Sequence, residues 1–202
     1  MIITIVDYNL GNIRSISNML GIFKNVKVKV SNNRNEILKS DKVILPGVGA
    51  YGKAMNRISE LELNSTINEF AKTGNSILGI CLGMQLLFEG SNEMGHNKGL
   101  GLISGKVEKI ASKTCQILPN IGYYRLNFKD EKLNLKYKDY WYYFVHSYHC
   151  IPTNKFYIES EIFINSTNII SSFSKDNIHG CQFHPEKSAE GGIEYFKSFL
   201  NQ

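Results

Sequence analysis

The sequence predicts an α/β fold: a central, mostly parallel sheet with helices on both faces, extended by antiparallel strands in the C-terminal half. Two observations carry this prediction. In the first half of the chain, short apolar runs alternate with segments of helical periodicity, the order typical of parallel βαβ units. The second half is rich in strand-like segments. No repeat, low-complexity segment or linker interrupts the chain, so residues 1–202 are expected to form a single domain.

In the first half, strands and helices are expected to alternate. Apolar runs bounded by polar or turn residues predict strands at residues 2–7, 26–30, 42–45 and 76–80. Apolar residues at helical spacing predict helices at residues 12–23, at 53–73 in one or two pieces, and at 83–89. The strand at 26–30 alternates valine and lysine, which indicates a half-exposed position near an edge of the sheet.

In the second half, strands are expected to dominate. They are predicted at residues 102–110, 122–128, 141–145, 157–163, 168–173 and 178–183, and a last helix is predicted at 190–200. The polar, Gly- and Asn-rich segment between Glu89 and Gly99 is expected to be a surface loop.

Composition excludes several classes of protein. Hydrophobic residues make up 43% and charged residues 20% of the 202, which is ordinary for a globular domain and excludes disorder as the main state. The net charge of +5 comes mainly from scattered lysines, so we expect no nucleic-acid partner. No apolar run is long enough to span a membrane, and the first apolar run is too short for a signal peptide, so we expect a cytoplasmic protein.

The four cysteines predict free thiols rather than a metal site. None of them forms a C-x-x-C pair, so a zinc ribbon is not expected. The chain is also expected to use no metal and no cofactor. Cys115, Cys150 and Cys181 are expected to pack as small apolar residues. Cys81 stands in a different context.

The segment from Gly79 to Gly83 has the pattern G-x-C-x-G, the thiol counterpart of the nucleophile elbow. A buried strand is predicted before it and a helix after it, as such an elbow requires. The thiol of Cys81 would then lie at a helix N-terminus, where the helix dipole favours the thiolate. The alternative is that Cys81 is a buried core cysteine between two turn glycines.

Two further segments complete a catalytic pattern. In His184-Pro185-Glu186, an extended chain would place Glu186 on the side of His184, so that the carboxylate orients the imidazole while the imidazole faces a nucleophile. Pro46-Gly47-Val48-Gly49 follows a predicted strand, and its backbone N–H groups, with that of Leu82, could stabilise an oxyanion. Taken alone, the His184-Pro185-Glu186 segment is also compatible with a surface loop, and the segment at 46–49 is also compatible with a plain turn between a strand and a helix. Strand ends of a parallel sheet converge on one edge, where ligands bind.

These motifs resemble those of the class I glutamine amidotransferases, which have a flavodoxin-like fold. Within that family, the chain resembles the glutaminase subunits of imidazole glycerol phosphate synthase over essentially its whole length. The matching segments are Asp7-Tyr8, Gly11-Asn12, LPGVGAYG at 45–52, GICLGMQLLFEGS at 79–91, FVHSYH at 144–149 and QFHPEKS at 182–188.

The resemblance implies roles for individual residues. Cys81 would be the nucleophile, His184 the general base and acid, and Glu186 the group that orients His184. The remaining expected site residues are Gly47, Gln85, Ser147 and Tyr148, which would hold glutamine, and Val48, Gly49 and Leu82, which would form the oxyanion region. His146 is expected to keep local structure only. The implied partner is a (β/α)₈ cyclase that receives ammonia from this subunit.

One segment departs from the pattern of the family. The usual Pro-His-Met-Gly-Trp-Asn is replaced by Pro119-Asn120-Ile121-Gly122-Tyr123-Tyr124. Because this segment faces the cyclase in the family, we expect Asn120, Tyr123 and Tyr124 at the partner interface. The departure keeps a second hypothesis open, in which a paralogous subunit supplies ammonia to a synthase that acts on another acceptor, such as a cell-surface sugar. A silent regulatory subunit would not need the complete set of Cys81, His184 and Glu186, and Gln85 disfavours a stand-alone cysteine hydrolase.

Overall fold

A computed structural model describes residues 1–111, 117–165 and 167–201. Its centre is an eight-stranded sheet whose first five strands are parallel and whose last three are antiparallel. From one edge to the other, the strands are β2 (Lys27–Ser31), β1 (Ile2–Val6), β3 (Lys42–Leu45), β4 (Ser76–Ile80), β14 (Ile178–Cys181), β13 (Thr167–Lys175), β12 (Ile158–Ile164) and β9 (Asn127–Phe128). This confirms the predicted α/β class, including the position of the Val-Lys strand β2 at the edge.

Helices cover both faces of the central sheet. The helices are α1 (Ile13–Leu20), α2 (Arg34–Leu38), α3 (Tyr51–Glu60), α4 (Leu63–Lys72), α5 (Leu82–Leu86), α6 (Glu131–Tyr137) and α7 (Ala189–Leu200). Alternate residues of β3 face opposite sides: Val43 packs in the core that contains α3 and α4, and Ile44 packs in the core that contains α1 and α7. Burial on both faces explains why the parallel strands are continuous apolar runs.

Two smaller sheets adjoin the central sheet. One has the order β11 (Tyr148–Pro152), β7 (Ile103–Lys109), β5 (Phe88–Ser91) and β6 (Asn97–Lys98), and the other pairs β10 (Tyr142–His146) with β8 (Asn120–Tyr124). Strand β10 also contacts the central sheet's carboxyl edge, because the backbone N–H of His184 donates to the carbonyl of Tyr143 at 2.8 Å.

Some boundaries and elements differ from the sequence prediction. The predicted helix at 83–89 ends at Leu86, and the predicted loop that follows begins and ends in strands β5 and β6. Burial of Phe88 and the pairing of β5 with β7 explain the early change from helix to strand. The predicted strand at 122–128 is divided between β8 and β9, which belong to different sheets.

The helices α2 and α6 were not predicted. Both are short, and each begins at a side-chain cap rather than showing several turns of apolar periodicity. The side chain of Asn33 accepts hydrogen bonds from the backbone N–H groups of Asn35 and Glu36, and the side chain of Asp130 accepts from that of Leu133. Strand β11 was also missed.

The described cysteines are buried free thiols: Cys81, Cys150 and Cys181. Burial raises the pKa of the Cys150 and Cys181 thiols well above the ordinary value, which is consistent with their expected role as packing residues. Cys115 lies outside the described residues. In the described part of the chain, no helix is long and apolar enough to cross a membrane.

Candidate active site

The strand β4 ends in a tight turn that places Cys81 before α5. Cys81 has φ 52° and ψ −111°, a strained conformation for a residue other than glycine. Its backbone N–H donates to the carbonyl of Cys181 at 2.7 Å, which ties the turn to β14. A Cβ atom on Gly79 would lie 2.6 Å from Met84 Cα, and one on Gly83 would lie 1.8 Å from the carbonyl oxygen of Leu45. This geometry is that of a nucleophile elbow, and it explains both glycines.

The thiol of Cys81 lies among polar groups in a buried position. The side-chain amide of Gln182 donates to Cys81 Sγ at 3.6 Å, and Sγ lies 3.9 Å from the carbonyl oxygen of Val145. Leu82 is the first residue of α5, so its backbone N–H has no acceptor within the helix. That N–H group is therefore free to stabilise charge that develops beside Cys81.

His184 and Glu186 form a buried pair next to the elbow. Nδ1 of His184 lies 2.8 Å from Oε1 of Glu186, and the two side chains are 3% and 0% exposed. The side-chain amide of Asn12 donates to the same carboxylate oxygen at 3.4 Å. His184 is extended as predicted, but Pro185–Lys187 forms one 3-10 turn, and this turn rather than a continued extended chain brings Glu186 to the ring.

The protonation of His184 follows from its neighbours. Burial lowers the pKa of the imidazole, but the interactions with Cys81 and Glu186 outweigh burial and raise the pKa to about 10. Nε2 of His184 is buried and neither donates nor accepts a hydrogen bond among the described residues. Because Glu186 occupies Nδ1, Nε2 is the ring atom left for proton transfer at the cavity that His184 shares with Cys81.

A cavity of about 330 Å³ joins most of the predicted site residues. Those that line it are Cys81, His184, Gln85, Leu82, Val48, Gly49, Ser147 and Tyr148. Two predicted residues lie behind its wall: Glu186 contacts the far side of His184, and Gly47 packs against the elbow, where a Cβ atom would lie 2.6 Å from the backbone nitrogen of Gly83. Gly47 therefore allows a close backbone approach and does not line the cavity.

The loop from Pro46 to Gly49 is anchored at one end and open at the other. The hydroxyl of Tyr8 donates to the carbonyl of Pro46, and a Cβ atom on Gly11 would lie 2.9 Å from the ring of Pro46. Gly49 has φ 102°, a conformation that favours glycine, and a Cβ atom there would meet nothing within 4 Å. Gly49 is thus glycine because of its backbone conformation, and the space beside its Cα is open.

Several residues at the cavity or beside Cys81 had no predicted role, among them Glu93, Pro119 and Gln182. Glu93 lines the cavity, and its carboxylate accepts a hydrogen bond from the backbone N–H of Tyr51 at 2.6 Å. It lies in the segment expected to be a surface loop, where no motif marks it. Pro119 lines the cavity from the segment before β8, and Gln182 is completely buried beside Cys81. The motif QFHPEKS contained Gln182 but gave no reason to separate it from its neighbours.

His146 also lines the cavity and is held in place by its surroundings. Its Nδ1 lies 2.8 Å from the carbonyl oxygen of Tyr148, and its Nε2 lies 3.3 Å from the side-chain nitrogen of Asn120. Burial lowers the pKa of His146 to about 4, so the ring is neutral at pH 7. These contacts agree with the structural role expected for this residue.

The three residues of the divergent segment are placed differently from one another. Tyr123 is 57% exposed, whereas Asn120 is 3% exposed. The Tyr124 hydroxyl donates to the side-chain oxygen of Asn120 at 2.6 Å, and the Tyr124 ring packs edge-on against Phe144. The placement of the three residues at a partner interface stays a prediction, and the contacts of Asn120 with Tyr124 and His146 show that its side chain is buried within this chain.

Among the described residues, no three His, Cys, Asp or Glu side chains form a group that could hold a metal ion. The elbow, the histidine–carboxylate pair and the adjoining cavity lie together at the carboxyl edge of a parallel sheet, in the arrangement that a cysteine nucleophile requires.

Comparison with known proteins identifies the family. The family model for class-I glutamine amidotransferase matches residues 4–202, and the chain belongs to this family. It is 43% identical over 198 residues to imidazole glycerol phosphate synthase subunit HisH of Listeria innocua, an alignment that covers 98% of this chain and 94% of that protein. It is 39% identical over 197 residues to the subunit of the same name in Chlorobaculum tepidum, covering 96% and 97% of the two chains.

Solved structures share the fold at low sequence identity. The structure of PurLQS from Thermotoga maritima matches with a TM-score of 0.74 and 18% identity, covering 99% of this chain and 97% of that one. A structure described as a glutamine amidotransferase matches with a TM-score of 0.76 and 14% identity, covering 98% and 99%. The fold class predicted from the sequence is thereby confirmed.

Proposed function

We propose that this chain is the glutaminase subunit of an imidazole glycerol phosphate synthase, acting in the cytoplasm in histidine biosynthesis. It hydrolyses glutamine to glutamate and ammonia and passes the ammonia to a (β/α)₈ cyclase of the HisF type, which makes imidazole glycerol phosphate and AICAR. The observation that carries the proposal is that Cys81 and His184 meet at one cavity, with Glu186 bound to the far side of the His184 ring, on a chain related throughout its length to HisH subunits.

The reaction proceeds through a covalent thioester. The Cys81 thiolate attacks the side-chain amide carbon of glutamine, while His184 carries the proton at Nε2 and Glu186 stabilises the imidazolium. When the C–N bond breaks, His184 donates that proton to the leaving nitrogen, and ammonia departs. His184 then takes a proton from water, the hydroxide attacks the thioester, and glutamate leaves with the thiolate restored.

Several groups fit the substrate and the transition state. The cavity has the carboxylate of Glu93 at its wall, which suits the α-ammonium group of glutamine, and Gln85, Ser147 and Tyr148 supply further polar contacts. The backbone N–H group of Leu82 and the backbone N–H groups of the loop at 46–49 are suited to stabilise the oxyanion that forms on the amide oxygen of glutamine.

The open space around Gly49 suits a gated oxyanion site. We expect weak glutaminase activity from the isolated chain and strong stimulation when the cyclase and its nucleotide substrate are present, because a reoriented peptide would complete the oxyanion site. Glutamate release is measured with the chain alone, with the cyclase, and with the cyclase plus substrate. Full activity of the isolated chain would exclude gating, and absence of glutamate release under all three conditions would exclude the proposed function.

A second candidate partner follows from the divergent segment at 119–124, where Tyr123 is exposed. In this alternative, the same glutaminase supplies a synthase that acts on another acceptor. The discriminating assay mixes the chain with the cyclase and its nucleotide substrate: product formation with one glutamate per product supports the first candidate. Failure to bind the cyclase, with intact glutaminase chemistry, supports the second.

A further inference from the structure

A chain of buried side-chain amides connects the cavity wall to the nucleophile. The Gln85 side-chain nitrogen donates to the carbonyl of Tyr148 at 3.1 Å and to the side-chain oxygen of Gln182 at 3.0 Å. The side-chain nitrogen of Gln182 in turn donates to Cys81 Sγ at 3.6 Å. We define Tyr148 carbonyl, Gln85, Gln182 and Cys81 as the amide relay.

The direction of the relay is fixed at its outer end. A backbone carbonyl can only accept, so the carbonyl of Tyr148 requires the nitrogen of Gln85 on its side. Both N–H bonds of Gln85 are then used, and the second of them requires the oxygen of Gln182. The amide of Gln182 therefore turns its nitrogen, a donor, towards Cys81.

The orientation of the two amides leaves the side-chain oxygen of Gln85 as an acceptor for the substrate. No described residue donates to the side-chain oxygen of Gln85, and Gln85 lines the cavity. Reversing either amide would place two acceptors or two donors together in a buried setting, which costs free energy because buried polar groups need partners.

We propose that Gln182 is a positioning residue of the glutaminase site, with two separable effects: its amide oxygen fixes Gln85 for substrate binding, and its amide nitrogen stabilises the Cys81 thiolate. The inference rests on the proposed glutaminase function. An N–H donor binds a thiolate more strongly than a neutral thiol, because hydrogen bonds to charged acceptors are the stronger ones. Complete burial of Gln182 excludes competition from bulk water.

Two substitutions separate the two effects. Gln182→Glu keeps an oxygen that accepts from Gln85 but has a donor for Cys81 only while its buried carboxyl is protonated, so both readouts are taken at several pH values and compared where the carboxyl is ionised. Gln182→Met keeps the approximate length and shape of the side chain but removes both the acceptor and the donor. Ser171→Ala is the matched control, because Ser171 is completely buried on the neighbouring strand and its hydroxyl has no hydrogen-bond partner in the described part of the chain.

Two readouts are measured on each variant. The rate at which iodoacetamide alkylates Cys81 in the full chain reports thiolate reactivity and requires no glutamine. Glutaminase kinetics with the partner and its substrate give kcat and KM. We expect alkylation and kcat to fall about tenfold in both Gln182 variants, since a hydrogen bond to a charged group contributes enough for such a change. KM should rise about tenfold in Gln182→Met and stay within about threefold of the parent value in Gln182→Glu.

Three results from these variants would contradict the proposal. Unchanged alkylation in a folded Gln182→Met chain overturns the thiolate effect, and equal KM values for the two variants overturn the effect on Gln85. Melting temperatures establish folding, and if Gln182→Met fails to fold, alkylation of Gln182→Glu decides the first effect. Loss of alkylation in Ser171→Ala as well would show that any change in this buried strand disturbs the site, which also contradicts the proposal. Failure of the glutaminase function itself appears separately, as a parent chain that is alkylated normally but releases no glutamate.

Discussion

Substitution of Gly83 by alanine tests the close packing that forms the elbow. A Cβ atom at this position would lie 1.8 Å from the carbonyl oxygen of Leu45 and 2.9 Å from that of Pro46, both of them backbone atoms. Since ordinary contacts begin near 3.4 Å, α5 and the end of β3 would have to separate by about 1.5 Å at this point. The end of β3 continues into the predicted oxyanion loop, and α5 begins directly after Cys81.

Gly83→Ala is expected to lower both the stability of the folded chain and its turnover. Overpacking costs about 1–3 kcal/mol of the free energy of unfolding, which lowers the melting temperature by about 2–12 °C for a chain of this size. Misplacement of catalytic groups by about 1 Å costs about 100-fold in turnover. The assay compares melting temperature and kcat of Gly83→Ala with those of the parent and of Gly21→Ala.

Gly21→Ala is the appropriate control for this experiment. Gly21 is exposed after α1, has right-handed φ and ψ, and a Cβ atom there would approach no closer than 3.3 Å to the carbonyl of Asn18. We expect Gly21→Ala to leave both quantities nearly unchanged. A Gly83→Ala chain with the melting temperature and kcat of the parent would refute the reasoning, since it would mean that the elbow tolerates a side chain at this position.

Three further outcomes follow from the same geometry. His184→Asn should lower turnover by about 100-fold or more, and Glu186→Gln should lower it less, because Glu186 orients the ring and does not transfer the proton; glutamate-release assays giving the reverse order would contradict these roles. The pKa of His184 is raised from 6.5 to about 10 on folding, so its stabilisation is fully present below pH 6.5 and is lost as pH rises towards 10. Urea denaturation of parent and His184→Asn chains should therefore show a stability difference that shrinks over this range; a constant difference would refute the pKa argument. Tyr123→Ala should weaken cyclase binding by about 2 kcal/mol if Tyr123 anchors the interface, with basal glutaminase activity retained; unchanged affinity in a titration would remove Tyr123 from the interface.

Periodicity and turn chemistry predicted the framework of the site well. The strand at 76–80 was predicted with its observed bounds, because its continuous apolar run reflects burial on both faces. The G-x-C-x-G pattern predicted the elbow, and the close contacts of Gly79 and Gly83 show why both positions are glycine. The pairing of His184 with Glu186 was also expected, although the local turn that produces it was not.

What the sequence alone could not predict depends on contacts between distant segments. Glu93 reaches the cavity because β5 pairs with β7 on one side and with β6 on the other, and the turn between β5 and β6 lies at the N-terminus of α3. Asn120 was expected at a partner interface, but its side chain is held inside by a hydrogen bond from Tyr124 on the same strand and by a contact with His146 on the paired strand. The role of Gln182 depends on the orientation of two amides, which no local pattern reveals.

The most direct test of the central claim is the activity of Cys81→Ala in the complex with the two nitrogen sources. Product formation by the cyclase is measured once with glutamine and once with an ammonium salt, alongside the parent complex. Because Cys81 serves only to release ammonia in this account, the variant should form no product from glutamine and should form product from ammonium at the rate of the parent complex. Glutamine-dependent product formation at the parent rate would contradict the assignment of Cys81 as the nucleophile.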